Sequence, residues 1–197
     1  MKHLIKKAIA TATLALSASG AFAADTVLTI SSWAPPGHGM NAILWPEFTK
    51  MLEEASEGRM SAEIKYGLAP PPAQFDVVLD GAADITWIFH GYNPGRFVAS
   101  KMIEIPGYDG NAEAASVAYW KAYEKYLAAA NEHDGVKVLA MMTHGPGILQ
   151  SEAKVTSLDQ ISGMKLRLGG GVSGDVGAAL GATGIRVPAP KVYETLA

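Results

Sequence analysis

The sequence has no cysteine among its 197 residues. Disulfide bonds, thiol catalysis and cysteine-ligated metal centres are therefore excluded from this chain. Charge is also sparse, with 16 basic and 19 acidic residues, and the scattered lysines do not form the basic patch that nucleic acid or anionic lipid requires. Without disulfides the fold depends on a hydrophobic core, which 49% apolar residues can supply.

No segment after residue 23 is apolar over the length of a membrane span. The N-terminus combines three lysines, an uncharged apolar stretch at residues 8–22 and the small-residue site Ala21-Phe22-Ala23. This pattern predicts a secretory signal over residues 1–23, cleaved after Ala23; a membrane anchor is the alternative, although the stretch is short for one. Cleavage leaves 13 basic and 19 acidic residues, which is a net charge of −6. We expect the exported protein to lie in the periplasm without being inserted in a membrane.

Apolar periodicity alternates between the two-residue and the helical repeat along the rest of the chain, which predicts an α/β fold with a largely parallel sheet. Strands are predicted at residues 27–31, 60–66, 84–89, 136–142, near 148, 165–168 and 183–187. Helices are predicted at residues 38–57, 75–80, 111–132, from 157, from the glycine-rich turn to 180, and from 191.

The glycine-rich turn lies in KLRLGGGVSGD, residues 165–175, and contains G-x-G-x-x-G at Gly169, Gly171 and Gly174. After a strand and before a helix, this spacing is compatible with a dinucleotide site. Against that interpretation, Asp175 would compete with a phosphate for the helix N-terminus, and the alternating strand differs from a buried Rossmann strand. A tight strand-to-helix turn is the simpler alternative.

Arg167 is the strongest single candidate for ligand binding. Strand alternation places it and Lys165 on one face, opposite Leu166 and Leu168. It also lies at the carboxyl end of its strand, where open α/β sheets place their ligands. A guanidinium suits a carboxylate, whereas spacing alone also allows an exposed arginine in a surface ion pair.

Three loops that follow predicted strands are rich in aromatic and polar residues, and parallel strands bring such loops to one sheet edge. Aromatic walls with a few hydrogen-bonding groups are typical of a small-molecule pocket, although the tryptophans are also compatible with core positions. The histidines lack zinc-site spacing, and no nucleophile motif is present. The candidate residues are Trp33, His38, Asn41, Trp87, His90, Tyr92, Asn93 and His144.

Several of these segments together resemble a known family. GMKLR at residues 163–167, followed by GDVGAALGATGIRVPAPKVYETLA, is similar to the signature of the solute-binding proteins of TRAP (tripartite ATP-independent periplasmic) transporters, dicarboxylate-receptor type. SWAPPGHGMN, DGAADITWIFHGYNPGRF and EIPG resemble segments of the family's first lobe. The resemblance covers residues 25–197.

The resemblance implies a two-lobed periplasmic-binding-protein fold that closes on its ligand like a flytrap. The first α/β lobe is expected at residues 24–145, and the start of a truncated second lobe at residues 146–197. Arg167 would form the salt bridge to an organic acid, and the closed receptor would deliver that acid to the membrane permease, without catalysis or a cofactor. Family members continue for more than a hundred further residues, so the chain is expected to be an N-terminal fragment.

Two departures from the family pattern bear on the ligand. Gly147 stands where many relatives carry another arginine, and Gly170 stands where many carry an asparagine. One cationic anchor beside Trp33, Trp87 and Tyr92 favours a monocarboxylate with an apolar or hydroxylated body.

Two other functions remain alternatives at this stage. One is an exported α/β enzyme that acts on a small carboxylate with His38, His90 or His144 as the base. The other is a sensor that binds the same acids and reports to a signalling protein. The sequence pairs no nucleophile with these histidines, which favours the receptor over the enzyme.

Overall fold

The computed structural model describes residues 24–197. The predicted signal sequence, residues 1–23, lies outside them. Within the described part of the chain, no helix has the length and apolarity to cross a membrane.

The first sheet has three parallel strands, β1 (Thr26–Ser32), β2 (Met60–Tyr66) and β3 (Ile85–Thr86), in the order β2-β1-β3. Ile30 on the central strand pairs with Ile64 on one side and Ile85 on the other. It is completely buried and packs with Trp45 and Ile85 in the first core. Parallel neighbours require crossover connections, and helices supply them here.

Helix α1 (Trp45–Ala55) connects β1 to β2, and α2 (Gln74–Leu79) connects β2 to β3. A π-helical turn, Met40–Leu44, precedes α1, so the predicted helix at 38–57 is present with an irregular first turn. At its end the Gly58 N–H donates to the Glu53 carbonyl. Gly58 has φ +79°, a left-handed conformation that glycine adopts at helix ends.

Helix α3 (Ala112–Ala122) begins at Asn111, whose side chain accepts a hydrogen bond from the Ala114 N–H at 2.9 Å. It continues through a π-helical and a 3₁₀ turn to Ala130, close to the predicted end at residue 132. A second core lies on this helix, where Tyr119 packs with Leu127 and Met141.

The second sheet has two parallel strands, β4 (Lys165–Leu168) and β5 (Thr183–Arg186), connected by α4 (Val172–Ala179). Arg167 pairs with Ile185 in its register. The short helix α5 (Val192–Leu196) follows. These elements agree with the predictions at residues 165–168, 183–187 and from 191.

The predicted strands at 136–142 and near 148 are wrong, because residues 137–144 and 146–150 have no helix or strand. A strand needs a hydrogen-bonded neighbour, and within residues 24–197 none lies beside this segment. Side-chain packing fixes its first part instead, since Met141 is buried against α3. Ile148 is 76% exposed. The predicted strand at 84–89 is shortened to Ile85–Thr86.

Candidate functional site

The aromatic residues predicted from two of the loops meet at the ends of β1 and β3. The Trp33 and Trp87 rings stack with centroids 4.1 Å apart. The His38 ring lies 5.4 Å from Trp87, and Tyr92 meets Trp33 edge-on at 6.0 Å. This arrangement is a partly exposed aromatic wall that brings together four of the candidates named from the sequence.

Phe89 extends this wall to the third loop. Its ring centroid lies 4.9 Å from Tyr92 and 6.2 Å from His144. Phe89 was not among the predicted site residues, although it follows Trp87 by two positions in an extended segment and therefore faces the same side. We call Trp33, His38, Trp87, Phe89, Tyr92 and His144 the aromatic cluster.

The two indole N–H groups are used within the protein. Trp33 donates to the Trp87 carbonyl and Trp87 donates to the Ser32 hydroxyl, each at 3.2 Å. Trp87 also packs against the first core, which agrees with the alternative that the tryptophans are core residues. Both Trp33 and Trp87 are nevertheless only half-buried. The two indoles can therefore contact a ligand through the faces and edges of their rings.

A buried polar network fixes the strand ends beneath the cluster. The Gln74 side-chain oxygen accepts from the Ser31 hydroxyl at 2.7 Å and from the Thr86 hydroxyl at 2.6 Å. Its amide donates to the Ala69 carbonyl at 2.7 Å. Ser31 and Gln74 are 0% exposed, so the network ties β1 to β3 in an environment where its polar groups have no water to bond instead.

Asn41 has a similar role in the first loop. Its amide donates to the carbonyls of Ala34 and Pro35 at 3.0 and 2.9 Å, and its oxygen accepts from the Ser32 hydroxyl at 2.7 Å. It is 4% exposed. Because both N–H groups are used, the structure assigns Asn41 to the shape of the loop instead of to contact with a ligand.

Arg167 is positioned by the loop after β5. Its Nε and Nη2 donate to the Val187 carbonyl at 2.9 and 2.7 Å, which leaves three of its five N–H donors free of this contact. It forms no ion pair with any acid in residues 24–197, so the surface-pair alternative does not describe it. Arg167 is half-buried.

Gly169 places the guanidinium beside the aromatic cluster. A Cβ added at this glycine would lie 3.3 Å from Cε1 of Phe89 and 4.0 Å from Nη1 of Arg167. The phenyl ring and the cation therefore lie next to the same glycine, both near the position that its Cβ would take. This is the geometry that joins the two predicted halves of the site.

The neighbouring Gly170 packs backbone to backbone against Gly91. It has φ +91°, and a Cβ there would overlap the Gly91 carbonyl oxygen. At Gly91, an added Cβ would lie 3.2 Å from the Gly169 carbonyl oxygen. Glycine is thus required at 170 for both conformation and space.

The dinucleotide interpretation is excluded by the N-terminus of α4. There the Glu104 carboxylate accepts a hydrogen bond from the Val172 N–H at 2.9 Å, and a Cβ at Gly171 would overlap that carboxylate. The protein's own anion occupies the position that a phosphate would take. The glycines serve a close approach between chain segments.

Asn93 and Gly147 form no hydrogen bond with the aromatic cluster within the described residues. The Asn93 amide donates to the Pro72 carbonyl at 2.7 Å, and its buried oxygen has no partner in the described part of the protein. Asn93 lines a cavity of about 130 Å³ whose lining does not include Arg167 or a tryptophan. Gly147 lies on the exposed segment, with no atom within 4 Å of an added Cβ.

His90 is separated from the other two candidate histidines and pairs with His133, their Nε2 atoms 3.1 Å apart. It stacks on Phe97 at 4.1 Å, and its Nδ1 lies 3.4 Å from the Tyr119 hydroxyl. The pKa of His90 is lowered to about 4, chiefly by burial and in part by nearby His133, with Glu132 partly opposing both. Neutral His90 is therefore a structural residue and a poor general base. Within residues 24–197, no three His, Asp or Glu side chains are grouped to hold a metal.

This pair predicts a pH-dependent stability. The folded pKa of His90 lies below the ordinary 6.5, so the unfolded chain binds a proton that the native state excludes. The stabilisation is present above pH 6.5 and is lost as the pH falls toward 4. By pH 5 the free energy of unfolding should have fallen by about 2 kcal/mol. Urea unfolding at pH 7.5 and 5.0 measures it.

The matched variants for that measurement are His90→Gln and His144→Gln. His90→Gln keeps a polar partner for His133 and removes the titrating group, so its loss of stability between the two pH values should be about 2 kcal/mol smaller. His144 is exposed, and His144→Gln should behave as the unaltered protein does. Equal pH dependence in all three proteins would contradict the assignment to His90.

Comparisons with known proteins agree with this architecture. Residues 30–197 match the family DctP, described as bacterial extracellular solute-binding protein, family 7. A TRAP periplasmic solute-binding protein from Bordetella bronchiseptica, solved with bound (R)-mandelate and (S)-mandelate, is 38% identical, with a TM-score of 0.82 over 86% of this chain and 55% of its own.

Two further solved structures are similar. A TRAP solute-binding protein from a marine metagenome, in complex with 3-hydroxybenzoate, is 33% identical with a TM-score of 0.80 over 86% of this chain and 54% of its own. One from Rhodoferax ferrireducens, in complex with benzoate, is 28% identical with a TM-score of 0.79 over 86% and 53%. The chain thus spans about half the length of these relatives.

These findings bear on four points raised by the sequence: the fold, the family, the enzyme alternative and the dicarboxylate ligand after which the receptor type is named. The two-lobed α/β fold and the family resemblance are confirmed. The relatives are binding receptors, so the enzyme alternative does not hold. Dicarboxylate specificity receives no support, because the described ligands of these relatives are aromatic monocarboxylates. The chain belongs to the bacterial extracellular solute-binding proteins of family 7.

Proposed function

We propose that this protein is a periplasmic receptor for an aromatic monocarboxylate, of the size of benzoate or a hydroxylated benzoate. The observation that carries the proposal is that Phe89 and Arg167 both lie beside Gly169. It puts a cation at one end of an aromatic wall. The relatives described with mandelate, 3-hydroxybenzoate and benzoate support the same class of ligand.

Arg167 binds the carboxylate of the ligand in this proposal. With Nε and one hydrogen of Nη2 on Val187, the remaining donors of Nη1 and Nη2 can bind both oxygens of one carboxylate. The bond to Val187 fixes the guanidinium plane before the ligand arrives, which lowers the entropic cost of binding. One such anchor suits a monocarboxylate.

The aromatic cluster packs against the ring of the ligand in this proposal. Offset or edge-on contacts between aromatic rings add about 0.5–1.5 kcal/mol beyond the area that they bury. Phe89, Trp33 and Trp87 are half-buried, so each has ring surface for such a contact.

Two histidines at the rim provide complementary polar groups. The His38 Nδ1 accepts from the Met40 N–H at 3.2 Å, which places the proton of the neutral ring on Nε2. The His144 Nδ1 lies 2.6 Å from the Gly145 carbonyl, which can only accept, so its Nε2 is an acceptor. A ligand hydroxyl can therefore find a donor or an acceptor, which favours hydroxylated aromatic acids.

Export and delivery complete the proposal. The signal pattern at residues 1–23 and the periplasmic relatives support a periplasmic location, and a TRAP permease is the proposed membrane partner. In cells, uptake of labelled benzoate should be lost when the permease genes are deleted. Unchanged uptake together with an altered transcriptional response to benzoate would favour the sensor.

The binding test uses thermal unfolding and tryptophan fluorescence of the whole protein with benzoate, 3-hydroxybenzoate, cyclohexanecarboxylate and succinate. We expect benzoate to bind about 2- to 10-fold more tightly than its saturated analogue, which has no aromatic face. At 1,000 times its Kd, benzoate should stabilise the protein by about 4 kcal/mol. Tighter binding of succinate than of either aromatic acid would contradict the proposal.

A further inference from the structure

We infer that Glu104, which forms no hydrogen bond or ion pair with the aromatic cluster or Arg167 in the described residues, is a positioning residue for the binding site. It fixes the glycine turn after Arg167 against the first lobe and so keeps the two lobes closed on a ligand. The inference rests on the proposed receptor function. It adds a residue from outside the site that sets how long the ligand stays bound.

The contact joins distant parts of the chain. Glu104 ends a 3₁₀ turn, Ser100–Glu104, in the first lobe, and its Oε2 accepts from the Val172 N–H, 68 residues away. Glu104 is half-buried. A carboxylate bonded to a backbone N–H in such a place is a charge-assisted bond, stronger than a neutral one.

The N-terminus of α4 has no capping side chain of its own, so it can accept this carboxylate. Helices usually begin with Ser, Thr, Asp or Asn, whose side chain accepts from the first free N–H groups. The residue before α4 is Gly171, which has no side chain and makes no such bond. Glu104 supplies the missing acceptor from the other lobe, and its charge also matches the helix dipole.

The turn that Glu104 fixes is continuous with the ligand anchor. Arg167 ends β4, and the three glycines at 169–171 follow. Gly169 contacts Phe89 and Gly170 contacts Gly91, both in the first lobe. When Glu104 binds the end of this turn, Arg167 is held beside Phe89 of the aromatic cluster.

Other contacts between the lobes are weaker or differently placed. Lys101 and Asp175 lie 3.9 Å apart and are 41% and 65% exposed, and such surface pairs contribute little. The Tyr92 hydroxyl accepts from the Ala189 N–H at 2.8 Å, but Tyr92 belongs to the aromatic cluster. Glu104 is thus the residue that tests closure without altering the ligand contacts.

The experiment measures the binding rates of benzoate by stopped-flow tryptophan fluorescence on the whole protein. In Glu104→Ala we expect dissociation to be about 3- to 30-fold faster, the range that corresponds to loss of a helix cap, with association changed less than about 2-fold. Glu104→Gln retains an acceptor oxygen and loses the charge, so benzoate should dissociate from it at a rate between those of the unaltered protein and Glu104→Ala. The melting temperature of the ligand-free protein should stay the same, because we expect its lobes to be open and Glu104 to be separated from α4 until a ligand binds.

Glu132→Gln is the matched control, because Glu132 caps a turn inside the first lobe. Its carboxylate accepts from the backbone N–H groups of Val98, Ala99 and Ser100 and from the Ser100 hydroxyl, at 2.5–2.9 Å. We expect this variant to melt at a lower temperature and to release benzoate at the normal rate. The two carboxylates thereby separate a positioning role from a structural one.

The outcomes are distinct. Failure of the unaltered protein to bind any aromatic acid overturns the proposed function and this inference with it. Binding by the unaltered protein, with normal dissociation from both Glu104 variants, overturns the inference alone. A lowered melting temperature in Glu104→Ala at an unchanged dissociation rate would make Glu104 structural, which also overturns it.

Discussion

Arg167→Ala should weaken benzoate binding at least 30-fold, because removing one partner of a desolvated ion pair costs about 2–5 kcal/mol. For a micromolar ligand, with about −8.2 kcal/mol of binding free energy, this loss would raise the Kd to between about 30 μM and several millimolar. No acid in the described chain pairs with Arg167, so the loss of binding should not be accompanied by a broken internal salt bridge. Isothermal titration calorimetry measures the change.

Arg167→Lys is the informative control for charge. Lysine keeps the cation but is a point charge without the planar fork, so it can meet either the Val187 carbonyl or the ligand. We expect an affinity between those of the alanine variant and the unaltered protein. Circular dichroism should show both variants folded; full affinity in folded Arg167→Ala would remove Arg167 from the site.

The regular elements were predictable where their signal is local. Strand β2 agrees at both ends with the prediction for residues 60–66, since its alternation is followed at once by turn residues. Strands β4 and β5 and the helix between them were also predicted. Residues 136–142 have similar alternation and no strand, because pairing depends on a neighbour that the segment itself cannot specify.

The site was predictable in part for the same reason. The meeting of Trp33, Trp87 and Tyr92 follows from parallel strands that end at one edge. Asn41 was a candidate because a polar loop residue has the same sequence signature whether it bonds to a ligand or to its own loop. Nothing near Gly171 could indicate Glu104, since that contact is made across 68 residues.

Gly170→Ala is expected to prevent lobe closure while leaving each lobe folded. Gly170 has φ +91°, where a side chain costs about 1–3 kcal/mol, and its Cβ would overlap the Gly91 carbonyl oxygen. That obstacle is backbone, which cannot change rotamer to make room, so the turn must move away from the first lobe. Since Arg167 is three residues before it, we expect the affinity for benzoate to fall at least about 10-fold.

Small-angle scattering and calorimetry together test this expectation. The unaltered protein should become more compact when saturated with benzoate, and Gly170→Ala should not. Gly147→Ala is the matched control, because that glycine has an ordinary φ and open space around it; it should close and bind normally. If Gly170→Ala closes and binds as well as Gly147→Ala does, the contact between Gly170 and Gly91 does not belong to the ligand-bound state. The glycine turn would then be needed for the path of the chain after β4, and closure would have to depend on contacts farther from Arg167.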